Sequence, residues 1–224
     1  RFESKSTILD AGCGSGVASV YILQRLRRIN AQYKLYSVDI SDKMIELAKK
    51  RILEECPRHE NVESIVEACN LEDLKFIKSE SLDLYLSNLC FHLVSNVKSV
   101  LTEANRVVVP GGTLAFSTVG QKKENSLLTI MDRVIEELDL PPNEGRDIFH
   151  LGDRELLKQH LDETGFKMDM FWYQNTGIYF QNYDQFLDLY NSAQLLAYTK
   201  KLNQDQLKAF YAQSKKIYEK VVNS

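Results

Sequence analysis

A short glycine-rich segment near the start of the chain constrains the fold more than any other feature. Residues 8–16 read ILDAGCGSG, an apolar run that ends in Asp10 and continues with glycine at every second position. The residues that follow, Val17–Arg28, are compatible with a helix. This order predicts a β-strand, a tight turn and a helix N-terminus, because glycine allows backbone angles that other residues avoid. Since the first N–H groups of a helix lack intrahelical partners, such a turn is typical of nucleotide-binding sites.

A second acidic residue follows at the distance expected of a βαβ unit. Residues 33–38, YKLYSV, favour a strand that ends in Asp39, and Ser41 opens a stretch with apolar residues at helical spacing. In such a unit the acid at the tip of the second strand lies beside the first turn, where its carboxylate can accept both hydroxyls of a ribose. The alternative role for Asp39 is the N-cap of the next helix, although Ser41 is better placed for that.

The spacing of the glycines separates two kinds of nucleotide-binding turn. The dinucleotide pattern G-x-G-x-x-G would need a glycine at position 17, which is Val17. The pattern that starts at Asp10, D-x-G-x-G-x-G, resembles motif I of the class I S-adenosylmethionine (SAM) dependent methyltransferases. A glycine-rich strand-to-helix turn without any ligand is the alternative.

The segment after the third predicted strand also resembles this family. Val62–Glu67 predicts that strand, and residues 69–76, CNLEDLKF, are similar to the family segment that flanks the adenine. Asn70 stands where the family usually has Asp, and Lys75 where it has Pro. The side-chain oxygen of Asn70 can still accept a hydrogen bond from the adenine amino group.

The remaining landmarks of the methyltransferase core occur in the same order. Leu82–Ser87 predicts a fourth strand, and residues 87–92, SNLCFH, stand where the catalytic loop of the family lies. Asn96–Val107 predicts a helix, which a Pro-Gly-Gly turn ends. Thr113–Thr118 predicts the fifth strand. The resemblance therefore covers residues 8–120.

The resemblance implies both a fold and a set of site residues. The implied fold is α/β, with a doubly wound, mostly parallel, Rossmann-like sheet of seven or six strands and extra C-terminal helices. The implied cofactor is SAM, with S-adenosyl-L-homocysteine as its product, and the implied acceptor is a small apolar or aromatic molecule, as in the similar quinone- and sterol-type enzymes. The residues expected to bind the cofactor are Asp10, Gly12, Gly14, Gly16, Asp39, Ile40, Met44, Asn70, Leu71, Asn88 and Leu89.

Methyl transfer from a sulfonium needs little acid–base chemistry from the protein. The methyl group arrives already activated, so positioning can supply about 7 to 11 kcal/mol of the barrier. A base is needed only where the acceptor must lose a proton. His92 is the candidate base, and a packing or hydrogen-bonding role is its alternative. Residues 87–90 lack the prolines and the aromatic residue of the tetrad used by amino-adenine methyltransferases, which argues against nucleic acid as the acceptor.

The second half of the chain predicts helices and two further strands. Ser126–Leu138 and Asp153–Thr164 predict helices, the second N-capped by Asp153 itself. Phe166–Tyr173 alternates well enough for a sixth strand. Ile178–Phe180 predicts a short returning strand or a continuation after a bulge.

The C-terminal region predicts two helices, Tyr183–Lys200 and Gln204–Val222, with Asn203 as the N-cap of the second. We expect residues 1–180 to form the SAM-binding domain and residues 181–224 a helical extension or lid packed on it. The two helices carry an apolar and aromatic stripe that indicates either a core or a lid over an apolar acceptor. The stripe consists of Phe186, Leu187, Leu189, Tyr190, Leu195, Leu196, Tyr198, Phe210, Tyr211, Ile217 and Tyr218.

Charge and composition argue against several classes of protein. The 28 basic and 31 acidic residues give a net charge of −3, so no overall field attracts nucleic acid. The four cysteines show neither C-x-x-C spacing nor histidines in register, so we expect neither a metal site nor a disulfide framework. The sequence contains no stretch of about 18 apolar residues, so it predicts no transmembrane helix. These features fit the cytoplasm or another reducing intracellular compartment.

Other possibilities remain open at this point. The chain starts at Arg1 without a Met, which indicates upstream residues and leaves organelle targeting open. A methyltransferase fold retained as a binding or assembly subunit is the first alternative function, compatible with Asn70, Lys75 and the aromatic C-terminal helices. A protein-methylating enzyme is the second. The sequence also leaves open a homo-oligomer or a protein complex.

Overall fold

The computed structural model divides into two compact units, each with its own set of helices. The first unit lies within Arg1–Val119 and Asp153–Phe171, and the second within Gly120–Gly152 and Trp172–Ser224. The residues that the structure describes are 5–28, 32–56, 61–145, 147–176, 179–190 and 193–222.

A parallel sheet of five strands forms the centre of the first unit, which confirms the predicted α/β class. The strand order is β3-β2-β1-β4-β5. Because the order reverses beside β1, the carboxyl end of β1 lies at the switch point where open α/β sheets bind ligands. The strands are β1 (Lys5–Ala11), β2 (Gln32–Asp39), β3 (Val62–Ala68), β4 (Leu82–Asn88) and β5 (Val108–Ser117).

Side-chain caps begin several of the helices at the positions that the sequence indicates. The Ser41 hydroxyl accepts a hydrogen bond from the Met44 N–H, and Asp153 Oδ1 accepts one from the Leu156 N–H at 2.8 Å. The helices are α1 (Val17–Leu26), α2 (Asp42–Glu55), α3 (Val97–Val107), α4 (Ile130–Glu137), α5 (Arg154–Glu163), α6 (Tyr183–Tyr190), α7 (Ala193–Thr199) and α8 (Gln204–Val222). None of the helices in the described ranges is long and apolar enough to cross a membrane.

The guanidinium of Arg106 on α3 fastens the irregular segment between β3 and β4. It donates to the carbonyl oxygens of Leu74 and Ile77, each at 3.1 Å, and to the Ser79 hydroxyl at 3.1 Å. It also donates to Glu103, one helical turn earlier, at 2.6 Å. Glu103 in turn accepts the Leu74 N–H at 2.7 Å, so one ion pair holds residues 74–79 of this segment.

The helices of the second unit build their own core. Buried side chains from α4 pack with buried and partly buried side chains of the C-terminal helices, so the described part of the stripe serves as core, apart from the exposed Leu196. Leu189 and Tyr190 lie outside the side chains that the structure describes. The lid and the division at residue 180 stay predictions. The buried residues of this core are Ile130, Met131, Val134, Ile135, Phe186, Leu195, Tyr198, Phe210, Ile217 and Tyr218.

The prediction of a sixth strand over Phe166–Tyr173 is wrong. This segment has no regular structure and pairs with no strand among the described residues. Its alternation of apolar residues is real, but a strand also needs a neighbour with free backbone groups, which local sequence does not reveal. Of the predicted returning strand, Ile178 lies outside the described residues, and Tyr179 and Phe180 have no regular structure. Within the described residues the sheet therefore has five strands, where seven or six were expected.

One predicted helix begins later than expected. Turns precede α4 over residues 126–129, so it begins at Ile130 rather than at Ser126. Of the helix predicted over Tyr183–Lys200, α6 and α7 are helical as expected, and residues 191–192 between them lie outside the described residues. Apolar periodicity locates a helix face better than it locates its ends.

We expect Arg106→Lys to lower the free energy of unfolding by about 1 to 3 kcal/mol. Lysine keeps the charge but cannot donate in several fixed directions, so buried carbonyl oxygens lose their donors. Urea unfolding measures the change. Arg154→Lys is the control, because Arg154 is exposed and pairs with the adjacent Glu155. Equal losses in the two variants would contradict this role of Arg106.

Glu103 should contribute a pH-dependent part of the stability. Its hydrogen bond from Arg106 is the main reason that the pKa of its carboxyl lies below the ordinary value. The unfolded chain therefore binds the proton more tightly, so this contribution is present above about pH 4.3 and is lost as the pH falls through the folded pKa. Glu103→Gln should flatten the acid side of the stability curve, measured by urea unfolding between about pH 3 and 6. Parallel curves for wild type and variant would contradict this.

Candidate functional site

The glycine turn after β1 is tied to the end of the neighbouring strand β2. The N–H groups of Gly12 and Cys13 both donate to the carbonyl oxygen of Val38, each at 2.8 Å. The Gly16 N–H then donates to the Cys13 carbonyl oxygen at 2.9 Å, just before α1 begins. The predicted strand, turn and helix are therefore present, and the turn lies at the carboxyl end of the sheet.

The three glycines of the turn have positive φ angles of 73°, 53° and 83°, but each meets different surroundings. A Cβ on Gly12 would lie 2.2 Å from the Cys90 Sγ, and one on Gly16 would lie 3.0 Å from the Ala48 Cα on α2. A Cβ on Gly14 would meet nothing within 4 Å. Gly14 is therefore the glycine that opens onto free space, whereas Gly12 and Gly16 allow close packing within the protein.

Asp39 lies beside this turn. Its Oδ2 accepts the Gly14 N–H at 2.9 Å, and its Oδ1 accepts the Ser41 N–H at 2.9 Å. Ser41, rather than Asp39, is the N-cap of α2. Because a carboxylate has about four acceptor positions, both oxygens can accept further hydrogen bonds.

Asp10 lies beneath the turn and is almost completely buried. Its Oδ2 accepts a hydrogen bond from the Ser19 hydroxyl on α1 at 2.5 Å. Burial, and to a smaller extent the charge of Asp39, raises the pKa of the Asp10 carboxyl to about 6, although the Ser19 hydrogen bond opposes this. The sequence did not single out Ser19, since a serine inside a helix carries no signal of its own.

Exposed apolar side chains surround the carboxyl end of β2 and the start of α1. Ile40 is 74% exposed and Met44 is 37% exposed, so both are free to contact a ligand. Val17 and Tyr21 on α1 are exposed as well. Neither residue was predicted from the sequence, although their place directly after the glycine turn is a signal that indicates them.

The segment after β3 reaches the same edge of the sheet. The Cys69 N–H donates to the Asp39 carbonyl oxygen at 2.8 Å, which brings Asn70 close to the end of β2. The Asn70 Oδ1 accepts the Glu72 N–H at 3.0 Å, so this oxygen already supports a local turn. Asn70 is exposed and Leu71 is buried. The role of both in binding adenine stays a prediction.

The end of β4 supplies the remaining predicted residues. The Asn88 Oδ1 accepts a hydrogen bond from the Ser117 hydroxyl at 2.6 Å. Leu89 is exposed and has a φ of 51°, a left-handed angle that costs a non-glycine residue about 1 to 2 kcal/mol. Cys90 follows, and burial is the main reason that the pKa of its thiol is raised, with the charge of Asp39 next.

His92 lies in a short 3₁₀ helix, Phe91–Leu93, and is buried. Its Nδ1 is 3.4 Å from the Thr118 hydroxyl beyond β5. This contact is compatible with the hydrogen-bonding alternative, and the role of His92 as a base stays a prediction. No group of three or more His, Cys, Asp and Glu residues in the described part of the chain is arranged to hold a metal ion.

Comparison with known proteins agrees with this geometry. The sequence profile of the family described as "Methyltransferase domain" matches residues 9–116. A malonyl-[acyl-carrier protein] O-methyltransferase of Hamiltonella defensa is 32% identical over 135 residues, which cover 59% of this chain and 45% of that protein. One of the same name from Bacillus anthracis is 28% identical over 143 residues, covering 62% and 48%. The chain thus spans about half the length of these relatives.

Solved structures share the fold of the chain. The YcgJ protein of Bacillus subtilis matches with a TM-score of 0.62 at 15% identity, covering 94% of this chain and 77% of that one. A putative methyltransferase of Bacillus halodurans matches with a TM-score of 0.62 at 15% identity, covering 92% and 83%. Residues 9–116, which contain the turn after β1 and the acid that ends β2, thus match a methyltransferase domain of the class I, SAM-dependent type.

Proposed function

We propose that this chain is an enzyme that transfers the methyl group of SAM to a small molecule. The observation that supports it most is the open face of Gly14, whose N–H is held by the Asp39 carboxylate at 2.9 Å. This combination offers a backbone that a ligand can approach closely, with an acceptor for ribose hydroxyls beside it. Bound there, SAM would supply an activated methyl group.

The residues around the turn fit the parts of the cofactor. Asp39 would accept the ribose hydroxyls, and the exposed Ile40 and Met44 would cover an apolar ring surface. Asn70 would accept a hydrogen bond from the adenine amino group, since an amide oxygen has two lone pairs and the Glu72 N–H uses one. Asn88 and Leu89 would lie at the methionine end, where β4 ends.

The acceptor is proposed from the chemistry that the site can perform. The names of the relatives favour a carboxylate on an acyl group as the acceptor. A carboxylate is already ionised at neutral pH, so it attacks without a base. A reaction without a base agrees with the state of His92, which is buried and whose Nδ1 contacts Thr118. An apolar or aromatic acceptor, as proposed from the sequence, would instead require His92 or a water molecule to take a proton.

A binding or assembly subunit without catalysis is the alternative function. The Asn70 oxygen is partly used by a local turn, and Lys75 pairs with Asp73 on the surface rather than shaping a pocket. Both features would weaken the binding of the cofactor. Isothermal titration with SAM separates the two functions, because a subunit of this kind needs no cofactor.

Asp39→Ala should weaken SAM binding by about tenfold or more. The substitution removes the acceptor of charged hydrogen bonds to the ribose, each of which contributes about 1.5 to 3 kcal/mol. Isothermal titration calorimetry measures the dissociation constant. Asp42→Ala is the matched control, since Asp42 is exposed three residues later in the first turn of α2. Unchanged affinity in a folded Asp39→Ala protein would remove the ribose role from Asp39.

The kind of bond that the methyl group enters can be measured directly. With SAM labelled in its methyl group and pools of acyl carboxylates, phenols and quinols, we expect label transfer to the carboxylates. A methyl ester releases volatile methanol in mild alkali, whereas an ether or a methylated carbon does not. Alkali-stable label would contradict the carboxylate and favour the apolar or aromatic acceptor. No SAM binding in calorimetry, together with no transfer to any pool, would favour the subunit.

A further inference from the structure

A buried tyrosine hydroxyl in the first unit has no hydrogen-bond partner in the part of the chain that the structure describes. Tyr85 lies in the middle of β4, between Leu9 on β1 and Leu114 on β5, and its side chain is fully buried. Its hydroxyl oxygen is sealed from solvent and has no partner among the described residues. Native proteins leave few buried polar atoms unpaired, because an unmade hydrogen bond costs the full desolvation of the group. This hydroxyl therefore requires an explanation.

The groups around the hydroxyl lie mostly at the carboxyl edge of the sheet. The titratable groups that act on it are Cys90 after β4, Glu103 on α3 and Cys69 after β3. Cys69 directly precedes Asn70, the residue proposed to bind adenine. Burial keeps the pKa of Tyr85 well above its ordinary value, so the hydroxyl remains a proton donor.

The segment next to Tyr85 carries two further signs of a site that rearranges. Leu89 holds a left-handed backbone angle, and the Cys90 thiol lies against the α-carbon of Gly12 so closely that no Cβ fits there. Strained backbone angles in non-glycine residues cluster where ligands bind. The orphan hydroxyl, the strained residue and the tight thiol all belong to one strand and the turn after it.

We propose that the Tyr85 hydroxyl is a binding group for the adenosine half of SAM and donates a hydrogen bond to it when the cofactor is bound. The inference rests on the proposed placement of adenine beside Asn70. Because the hydroxyl is buried from solvent, a neighbouring side chain must move before the cofactor can reach it. We assign this movement to the strained turn at Leu89 and Cys90. Cofactor binding thus satisfies a polar group that folding alone leaves unpaired.

The other orphan oxygen in the described structure does not suit this role. Ser37 Oγ is also buried without a partner. Its residue pairs with Asp10 and Val66 inside the sheet, and its short side chain keeps the oxygen near the strands. The tyrosine ring instead carries its hydroxyl well away from the backbone, toward the groups that follow β3 and β4.

The test is Tyr85→Phe, which removes only the hydroxyl. We expect the dissociation constants of SAM and S-adenosyl-L-homocysteine, measured by calorimetry, to rise by the same factor of about three to ten. We also expect the thermal midpoint of the ligand-free variant to equal or exceed that of the wild type, because the lost hydroxyl had no partner. The matched control is Tyr33→Phe, a buried tyrosine at the start of β2, which should leave both constants unchanged.

Several outcomes would overturn the inference. Wild-type affinity in Tyr85→Phe would show that the hydroxyl does not contribute to cofactor binding, while the proposed function would stand because the wild type binds SAM. A loss for SAM alone would place the contact outside adenosine. Failure of the wild type to bind SAM would instead remove the proposed function, and the inference with it. A crystal structure of the wild type with S-adenosyl-L-homocysteine tests the contact without any variant: the Tyr85 oxygen should lie within about 3.2 Å of an adenosine atom, and a longer separation would overturn it.

Discussion

The candidate site depends on one carbonyl oxygen, that of Val38 near the end of β2. It accepts two N–H groups from the turn after β1, those of Gly12 and Cys13. This pair of hydrogen bonds bends the chain at the carboxyl end of β1 and fixes the turn on its neighbour. The next residue, Asp39, then holds the Gly14 N–H, so two adjacent residues of β2 set both the turn and the acid beside it.

The other strands bring their ends to the same place through comparable contacts. The Cys69 N–H binds the Asp39 carbonyl oxygen, and the Ser87 hydroxyl binds the Ala11 carbonyl oxygen at 2.8 Å. Parallel strands end at one edge, so each connection adds its side chains to one surface. Asp10 and Asp39 both lie at this edge. Burial is the main reason that the pKa of Asp10 lies above that of an exposed aspartate, and the charge of Asp39 adds to it.

Sequence alone predicts the parts of this arrangement that local chemistry determines. The alternating glycines and the Ser41 cap act within a few residues, and the place of Asp39 beside the turn follows from the regular geometry of a βαβ unit. The structure contains each at the expected position. The contacts that the sequence did not reveal join distant residues, such as the Cys90 thiol against Gly12. The prediction of a strand over Phe166–Tyr173 was wrong for the same reason. Its apolar alternation is a local pattern, whereas strand pairing depends on distant residues.

The close approach of Cys90 to Gly12 makes these two positions share one volume. A side chain at position 12 would meet the Cys90 thiol, and the positive φ of Gly12 also disfavours any other residue there, whereas the side chain at position 90 can be shortened without a change at position 12. The Cys90 side chain therefore limits the space beside the backbone of the glycine turn. The substitution Cys90→Gly would enlarge the space at the end of β4 while every hydrogen bond of the glycine turn remained in place. Redesign of this surface can therefore begin with a single side chain.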